Sequence, residues 1–468
     1  MFSTATTEHA GQTGIFPLAG PRQAFVALHQ LVDAAQDTID ALYYIWRGDQ
    51  SGLLLFEALW RAAERGVRVR LLLDDGTTEE LDPTLAGLDT HPNIEVRIYN
   101  PLRWRKLRYM NALTDFWRSN RRMHNKSLTV DGKAIVTGGR NVGNEYYAEG
   151  DGMAFTDLDV LAIGAVVEEA GTMFDLYWTS TLAAPISRLV PPAGPAEGER
   201  LLDQFTANRM DPDSTGYMQA LYETPILTEL EEGKRAWIWT EAHLLYDDPL
   251  KTLGHDEHPE VLLLTQLLEH IGSPVRRLDL VSAYFVPMAA GTATLKRLSE
   301  RGVQVRVLTN SLESTDVTAV HAGYAKRRKA LLRAGVQLFE LKRGWGDTTG
   351  AHESIGGSSA ASLHAKTFAL DDRHVFVGSF NFDPRSARFN TEMGLLLDSP
   401  DLARRLSHVF DAEFALTAYE VYLTPEGRLE WLEWTPEGKK RHTIEPGTTA
   451  FRRLKVRLLA LLPFEWML

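Results

Sequence analysis

"ALWRAAERGVRVRLLLDD", residues 58–75, and "TLKRLSERGVQVRVLTNS", residues 294–311, are one phrase written twice. In each, an amphipathic helical stretch breaks at Glu-Arg-Gly and resumes as an apolar or alternating strand. Upstream, "IDALYYIW" at 39–46 matches "LVSAYFVP" at 280–287, so the displacement is 236 residues in one element and 241 in the other. A nearly constant displacement across separate elements means that one α/β unit is present twice. The alternation of helix and strand predicts two tandem α/β/α units with mixed, largely parallel sheets, related by pseudo-twofold symmetry. "VPPAGPAEGER" at 190–200 has the composition of a linker. The expected division is a first unit over 1–190, a connecting segment over 191–235, a second unit over 236–440 and a basic, apolar tail over 441–468.

The chain has 468 residues, enough for a substantial core, and 50 basic against 62 acidic side chains give a net charge of −12. No global cationic field therefore gathers nucleic acid or anionic lipid. Local basic patches remain at "RWRKLR", 103–108, with Arg118, Arg121 and Arg122, and at "FRRLKVR", 451–457. The absence of cysteine excludes disulfides, thiolate nucleophiles and cysteine-zinc sites. The first thirty residues show no signal-peptide pattern, and no apolar run reaches the roughly 18 residues that span a bilayer. The closing "RLKVRLLALLPFEWML", 453–468, suits either an anchor lying on a membrane surface or a terminal helix docked on the core.

The repeat extends to "RRMHNKSLTVDGKAIVTGGRN", 121–141, and "LHAKTFALDDRHVFVGSFNFD", 363–383. His124, Lys126, Asp131, Gly138, Gly139 and Asn141 fall 240 residues before His364, Lys366, Asp371, Gly378, Ser379 and Asn381. A strand has a side-chain period of two, so each histidine shares a face with its lysine. "VDGKA" and "LDDRH" read as hairpin turns that bring Asn141 and Asn381 back beside the lysines. Asp131 and Asp371 sit at those turns, where an aspartate commonly holds backbone donors. A buried lysine demands an anion, and a phosphodiester supplies one to both halves at once. Two lysines and two asparagines can then stabilise a pentacoordinate phosphoryl state while one histidine attacks phosphorus and the other protonates the leaving oxygen. Such chemistry requires neither a metal nor another cofactor.

These twin motifs resemble the phospholipase D superfamily signature, His-x-Lys-x4-Asp-x6-Gly-Ser-x-Asn. The second copy matches throughout and the first departs at Gly139. The resemblance implies one site between the halves, a phosphohistidine intermediate, and a catalytic set of His124, Lys126, Asp131, Asn141, His364, Lys366, Asp371 and Asn381. It also implies an acidic residue after each Asn that orients the histidine. Glu392, 28 residues after His364, fits, with Asp157 or Asp159 as the looser counterpart for the first half. "LYYIWRGDQSG", "NRRMHNKSLTVDG", "LLYDDPLK" and "GSFNFDPRSARFNTEMG" are similar to bacterial cardiolipin synthases that lack amino-terminal spanning helices.

That likeness implies phosphatidyl transfer onto phosphatidylglycerol, with His124 as nucleophile and His364 as acid. The donor is a phospholipid such as phosphatidylglycerol or phosphatidylethanolamine, and no nucleic-acid partner is expected. It places the protein in the cytoplasm, peripheral to the bacterial inner membrane. Rival readings are a phospholipase D-type hydrolase and a nuclease sharing the motif. Further expectations are that Arg140 binds a second phosphate and that the Ser379 hydroxyl meets substrate. Asp316, His321 and Tyr324 either line the acceptor pocket or, for Asp316, cap a helix. "GDTTGAHESIGGSSAAS", 346–362, reads as a flap or a disordered loop, and Trp104, Tyr109, Met110 and Trp117 read as a membrane-facing lip or as core.

Overall fold

The computed structural model describes residues 2–147, 155–191, 193–254, 262–343 and 362–468. The repeated phrase forms a helix and strand in each half, Gln50–Glu64 with Arg68–Asp74 and Met288–Glu300 with Gln304–Asn310. Each strand is the centre of a parallel block of three: Thr38–Tyr43, Arg68–Asp74 and Ile94–Tyr99 in the first half, Arg277–Ser282, Gln304–Asn310 and Gln337–Leu341 in the second. Both large sheets are mixed, of nine and ten strands among the described residues. The parallel share is smaller than the sequence predicts and is confined to these blocks. The motif strands Lys126–Val130 and Lys366–Leu370 join their blocks antiparallel, and each turns back through a hairpin into further antiparallel pairs. A two-residue turn can only reverse the chain, so every hairpin adds antiparallel pairing.

The hairpin turns form where expected. Asp131 and Gly132 (φ +53° and +60°) and Asp371 and Asp372 (φ +55° and +57°) occupy the left-handed region that a primed turn needs at both central positions. From there the Asp131 carboxylate accepts from the amides of Gln36, Asp37 and Thr38 at 2.8–3.2 Å. Asp371 does the same for Val275, Arg276 and Arg277 at 2.7–3.2 Å. Each aspartate thus ties its turn to the start of the neighbouring strand, at the opposite end of the motif strand from His and Lys. Burial would raise the Asp371 carboxyl, but the three amide donors outweigh it and hold the group below the usual carboxylate value. A depressed folded pKa gives stability that is present above the unfolded pKa, near 3.9, and is lost as pH falls through the folded value. Asp371→Asn is expected to lower stability by about 1–2 kcal/mol at pH 7 in urea melts. The gap to the unsubstituted protein should close below about pH 4; a gap independent of pH would show that the charge does not matter.

Three apolar layers hold the molecule. Helices cover the outer face of each sheet, and a third core lies between the sheets, where Leu42, Leu72, Ile135 and Val160 meet Ala369, Val377, Met393 and Leu395. The helix Val166–Trp178 adds Met173, Phe174 and Tyr177 to that layer. The chain passes between sheets at Glu241, since Ile238–Thr240 extends the first sheet and Ala242–Tyr246 the second. Residues 191–235 carry helices at Pro195–Met210, Thr215–Glu223 and Ile226–Glu231, which bury Leu201, Phe205, Ile226 and Leu230 in the first half's core. The tail helix Ala450–Leu461 packs Val456 against Leu312 and Ala322, and Arg327 clamps Glu465 bidentately at 2.8 and 2.7 Å. Its other side leaves Phe451, Leu454, Leu458 and Leu461 exposed. Among the described residues, no helix is long and apolar enough to cross a membrane.

Candidate active site

Two short β contacts between the halves build the site. Met123 bridges Thr391 in parallel fashion, the His124 amide donating to the Thr391 carbonyl at 2.9 Å and the Thr391 amide to the Arg122 carbonyl at 3.0 Å. Ser362–Leu363 pairs in parallel with Phe155–Thr156. Each bridge ends one residue short of a histidine on one side and a carboxylate on the other. The result is a crossed pairing: His124 Nδ1 meets Glu392 Oε2 at 2.8 Å, and His364 Nδ1 meets Asp157 Oδ2 at 2.5 Å. The expectation that each carboxylate serves its own half is corrected. Glu392, from the second half, holds the first half's histidine, and Asp157 does the reverse. Asp159 instead binds Arg140.

Lys126 and Lys366 are buried, and no carboxylate among the described residues forms an ion pair with either. Lys126 Nζ donates to the His124 carbonyl at 2.5 Å and lies 5.5 Å from the Tyr44 ring centre. Lys366 Nζ donates to the His364 carbonyl and lies 2.8 Å from His364 Nδ1. That nitrogen cannot both donate to Asp157 and accept from Lys366. The carboxylate has no proton of its own to give, so Nδ1–H points to Asp157 and the ammonium acts on the ring by charge alone. Burial lowers both lysines, Lys366 to about 8, with carboxylates of the site partly offsetting it. Burial and then the lysines push His124 well below its usual value and His364 to about 4. Lys366 acts on His124, and Lys126 on His364, so the four groups form one electrostatic unit across the halves. Burial raises Glu392 to about 7 against the pull of Lys126, whereas for Asp157 the charges of Lys366 and His364 outweigh burial and hold it down.

The departure at Gly139 has a steric cause. A Cβ there would lie 2.1 Å from Asp157 Oδ1, so the short carboxylate occupies the place of the missing serine. The Leu158 amide supports it at 2.8 Å. In the second half Ser379 donates to Glu392 Oε2 at 2.5 Å and accepts from the Met393 amide, while Ser386 donates to Oε1 at 2.7 Å. Ser379 therefore braces the longer carboxylate. Asn141 Oδ1 accepts from the Ile45 amide and its Nδ2 donates to Tyr146; Asn381 Oδ1 accepts from the Tyr284 amide at 3.4 Å. Both asparagines lie where the hairpins return.

The sequence profile described as cardiolipin synthase, phospholipase D-like domain, matches residues 28–161 and 267–414, one segment in each half. The chain belongs to this family. Cardiolipin synthase C of Escherichia coli (strain K12) is 44% identical to this cardiolipin synthase family protein over 465 residues, 99% of this chain and 98% of that one. Cardiolipin synthase A of Pseudomonas putida (strain KT2440) is 26% identical, over 85% of this chain and 67% of its own. The crystal structure of phosphatidylserine synthase from Haemophilus influenzae Rd KW20 aligns with 89% of this chain and 91% of its own at a TM-score of 0.56 and 13% identity, a likeness of fold.

Other expected residues of this family member lie elsewhere. The buried Arg140 guanidinium gives its two terminal nitrogens to the carbonyls of Leu18, Ala19 and Asp157 and to Asp159, so it anchors the Asp157 segment, and its buried Nε alone has no partner among the described residues. His321 and Tyr324 are buried around Arg328, with their polar atoms engaged by Glu445, Arg328 and Glu340. Asp316 does not cap the following helix. It accepts from Tyr284 Oη at 2.7 Å, and its charge acts on Lys366. In the 103–122 patch, Arg105, Arg108, Arg118 and Arg122 are paired with Asp75, Glu79, Asp115 and Asp74, whereas the exposed Arg103 and Lys106 form no ion pair among the described residues. Trp104, Tyr109 and Trp117 are exposed and Met110 half-buried, and Trp117 stacks on Trp466 of the tail at 5.5 Å. The stretch 346–361 lies outside the described residues.

Sequence reasoning missed the rings and clamps around the histidines. Tyr44 stands edge-on to His124 at 4.9 Å and Tyr146 to His364 at 5.4 Å. Asp74 accepts from the Met123 amide and from Arg122, and Asp247, paired with Lys251, accepts from the Glu392 amide. The repeat set Tyr43, not Tyr44, against Tyr284, and the register pairs Tyr43 with Lys126 and Ser282 with Lys366, so no signal in the sequence singled out these rings.

Proposed function

We propose that the protein transfers a phosphatidyl group from a donor phospholipid to a hydroxyl of phosphatidylglycerol, giving cardiolipin. The observation that carries this reading is that two imidazoles, each oriented by a carboxylate, and two buried ammoniums that form no ion pair among the described residues act on one another across the halves, an arrangement that suits one phosphodiester. Bound there, the phosphate relieves the burial cost of both lysines and raises the proton affinity of the imidazoles. His124, its Nδ1–H held by Glu392, attacks phosphorus through Nε2. His364, held by Asp157, gives a proton to the leaving glycerol oxygen. The bond to that oxygen breaks as the N–P bond forms, leaving a phosphatidyl-histidine. His364 then takes the proton of the incoming hydroxyl, whose oxygen displaces His124. One phosphodiester replaces another, so no nucleotide is consumed.

The relatives named above support the substrate class. The apolar stripe Phe451, Leu454, Leu458 and Leu461, and the Trp117–Trp466 stack beside it, support work at a lipid surface, in our reading the cytoplasmic face of a bacterial inner membrane. The test is incubation in chelator with vesicles of labelled phosphatidylglycerol, with and without phosphatidylethanolamine. Labelled cardiolipin is the expected product. Phosphatidic acid alone would replace transfer by hydrolysis, and cleavage of single-stranded DNA without lipid turnover would favour the nuclease.

A further inference from the structure

A cavity of about 420 Å³ opens in the second half between the helices Leu263–Ile271 and Met288–Glu300 and the outer face of the sheet. Its size lies within the roughly 300–1,000 Å³ of small-molecule pockets, and protein interiors seldom leave such a gap unfilled. The lining is apolar nearly throughout. Phe368, Leu370, Leu278 and Leu280 rise from the sheet, Leu267 and Leu295 descend from the helices, and Leu264 and Leu268 stand half-exposed at the mouth.

Two observations tie this space to the phosphate site. Lys366, Phe368 and Leu370 alternate on one face of one strand, so the cavity floor starts two residues from the ammonium and ends at Leu370, roughly 13 Å along the strand from Lys366. Asp383, two residues after Asn381, lines the inner end, and its charge acts on Lys366. The pseudo-symmetric layer of the first half carries an aromatic cluster. There the matching helix, Pro21–Ala34, has 14 residues against the nine of Leu263–Ile271. Phe25 on it packs against Tyr147 and Tyr217, with ring centres 5.6 and 4.9 Å apart.

We infer that this cavity receives one fatty acyl chain of the phospholipid whose phosphate sits between His124 and His364. The inference rests on the phosphatidyl-transfer reading and adds a chain-binding subsite in one half only. A saturated or unsaturated hydrocarbon tail needs no hydrogen-bond partner and matches the lining; with its glycerol end near Lys366 it runs along the strand toward the mouth of exposed leucines.

Ala290 is exposed on the helix at the mouth, so an indole there can fill the opening with little strain on the fold. The readout is the ratio of kcat/KM for dioleoyl- over dihexanoyl-phosphatidylglycerol. Ala290→Trp is expected to lower that ratio about tenfold, the worth of roughly two buried methylenes, and Ala290→Ser to leave it near that of the unsubstituted protein. An unchanged ratio in the tryptophan variant would overturn the subsite while leaving phosphatidyl transfer standing. A second measurement does not depend on turnover. Phosphatidylglycerol carrying a diazirine near the end of one chain, photolysed with the His124→Ala protein, should label peptides within 263–271 and 288–300. Label confined to other segments, such as the tail helix, would overturn the inference. Failure of the unsubstituted protein to turn over either lipid would count against the transfer reading alone.

Discussion

His124→Ala and His364→Ala should each reduce cardiolipin formation by about 10⁴-fold or more, the scale on which loss of a nucleophile or its proton-transfer partner is felt. The two variants then separate with a phosphodiester whose leaving group is p-nitrophenolate. That group departs without a proton, so an acid is dispensable for the first step. His364→Ala should give a burst of nitrophenolate and accumulate phosphate on His124, because the base for the second step is gone. His124→Ala should give no burst. Each imidazole has its Nδ1 engaged by a carboxylate, so this geometry does not choose between them and the assignment turns on this result. Phosphate trapped on His364 in the His124→Ala protein would exchange the two roles.

The crossed carboxylates give the second large effect. Glu392→Gln and Asp157→Asn should each cost about 10²–10⁴-fold, since an amide in place of the carboxylate no longer fixes the imidazole's tautomer or supports its charge. Their effects should fall on different steps. With the nitrophenyl substrate, Glu392→Gln slows the burst, which belongs to His124, and Asp157→Asn slows the turnover that follows. Carboxylates serving their own halves would produce the opposite pattern. Stability moves the other way. Glu392 has a folded pKa raised by burial to about 7, so between its unfolded value, near 4.3, and 7 the folded state holds more protons. The fold therefore loses stability as pH rises through that window. Glu392→Gln removes this penalty and should melt no lower than the unsubstituted protein at pH 8. A large drop in melting temperature would mean that the carboxylate chiefly holds the core together.

The duplication, the motif strands and their turns were legible because they are local: apolar period, Glu-Arg-Gly breaks and Asp-Gly turns act within a few residues. The residues of the candidate site were legible for the same reason, since a histidine and lysine two apart on a strand share a face. What the sequence hid was non-local. Glu392 lies 28 residues from His364 and 268 from His124, so chain proximity favours the wrong partner, and only the Met123–Thr391 bridge reverses it. Arg140 misled because its partners are largely backbone carbonyls, which leave no trace in residue type. His321 and Tyr324 follow the repeated strand as a pocket lining would, yet the burial of Arg328 recruits them as its counterparts. The parallel share was overestimated because the motif hairpins join the parallel blocks antiparallel in mid-sheet and every strand beyond them continues that way.

The exchange of carboxylates also governs what survives severing. A polypeptide ending after the first half would keep His124 and lose Glu392; one beginning with the second would keep His364 and lose Asp157. Each fragment would carry an unsteered imidazole beside an uncompensated ammonium, so the smallest competent unit of this molecule is the pair.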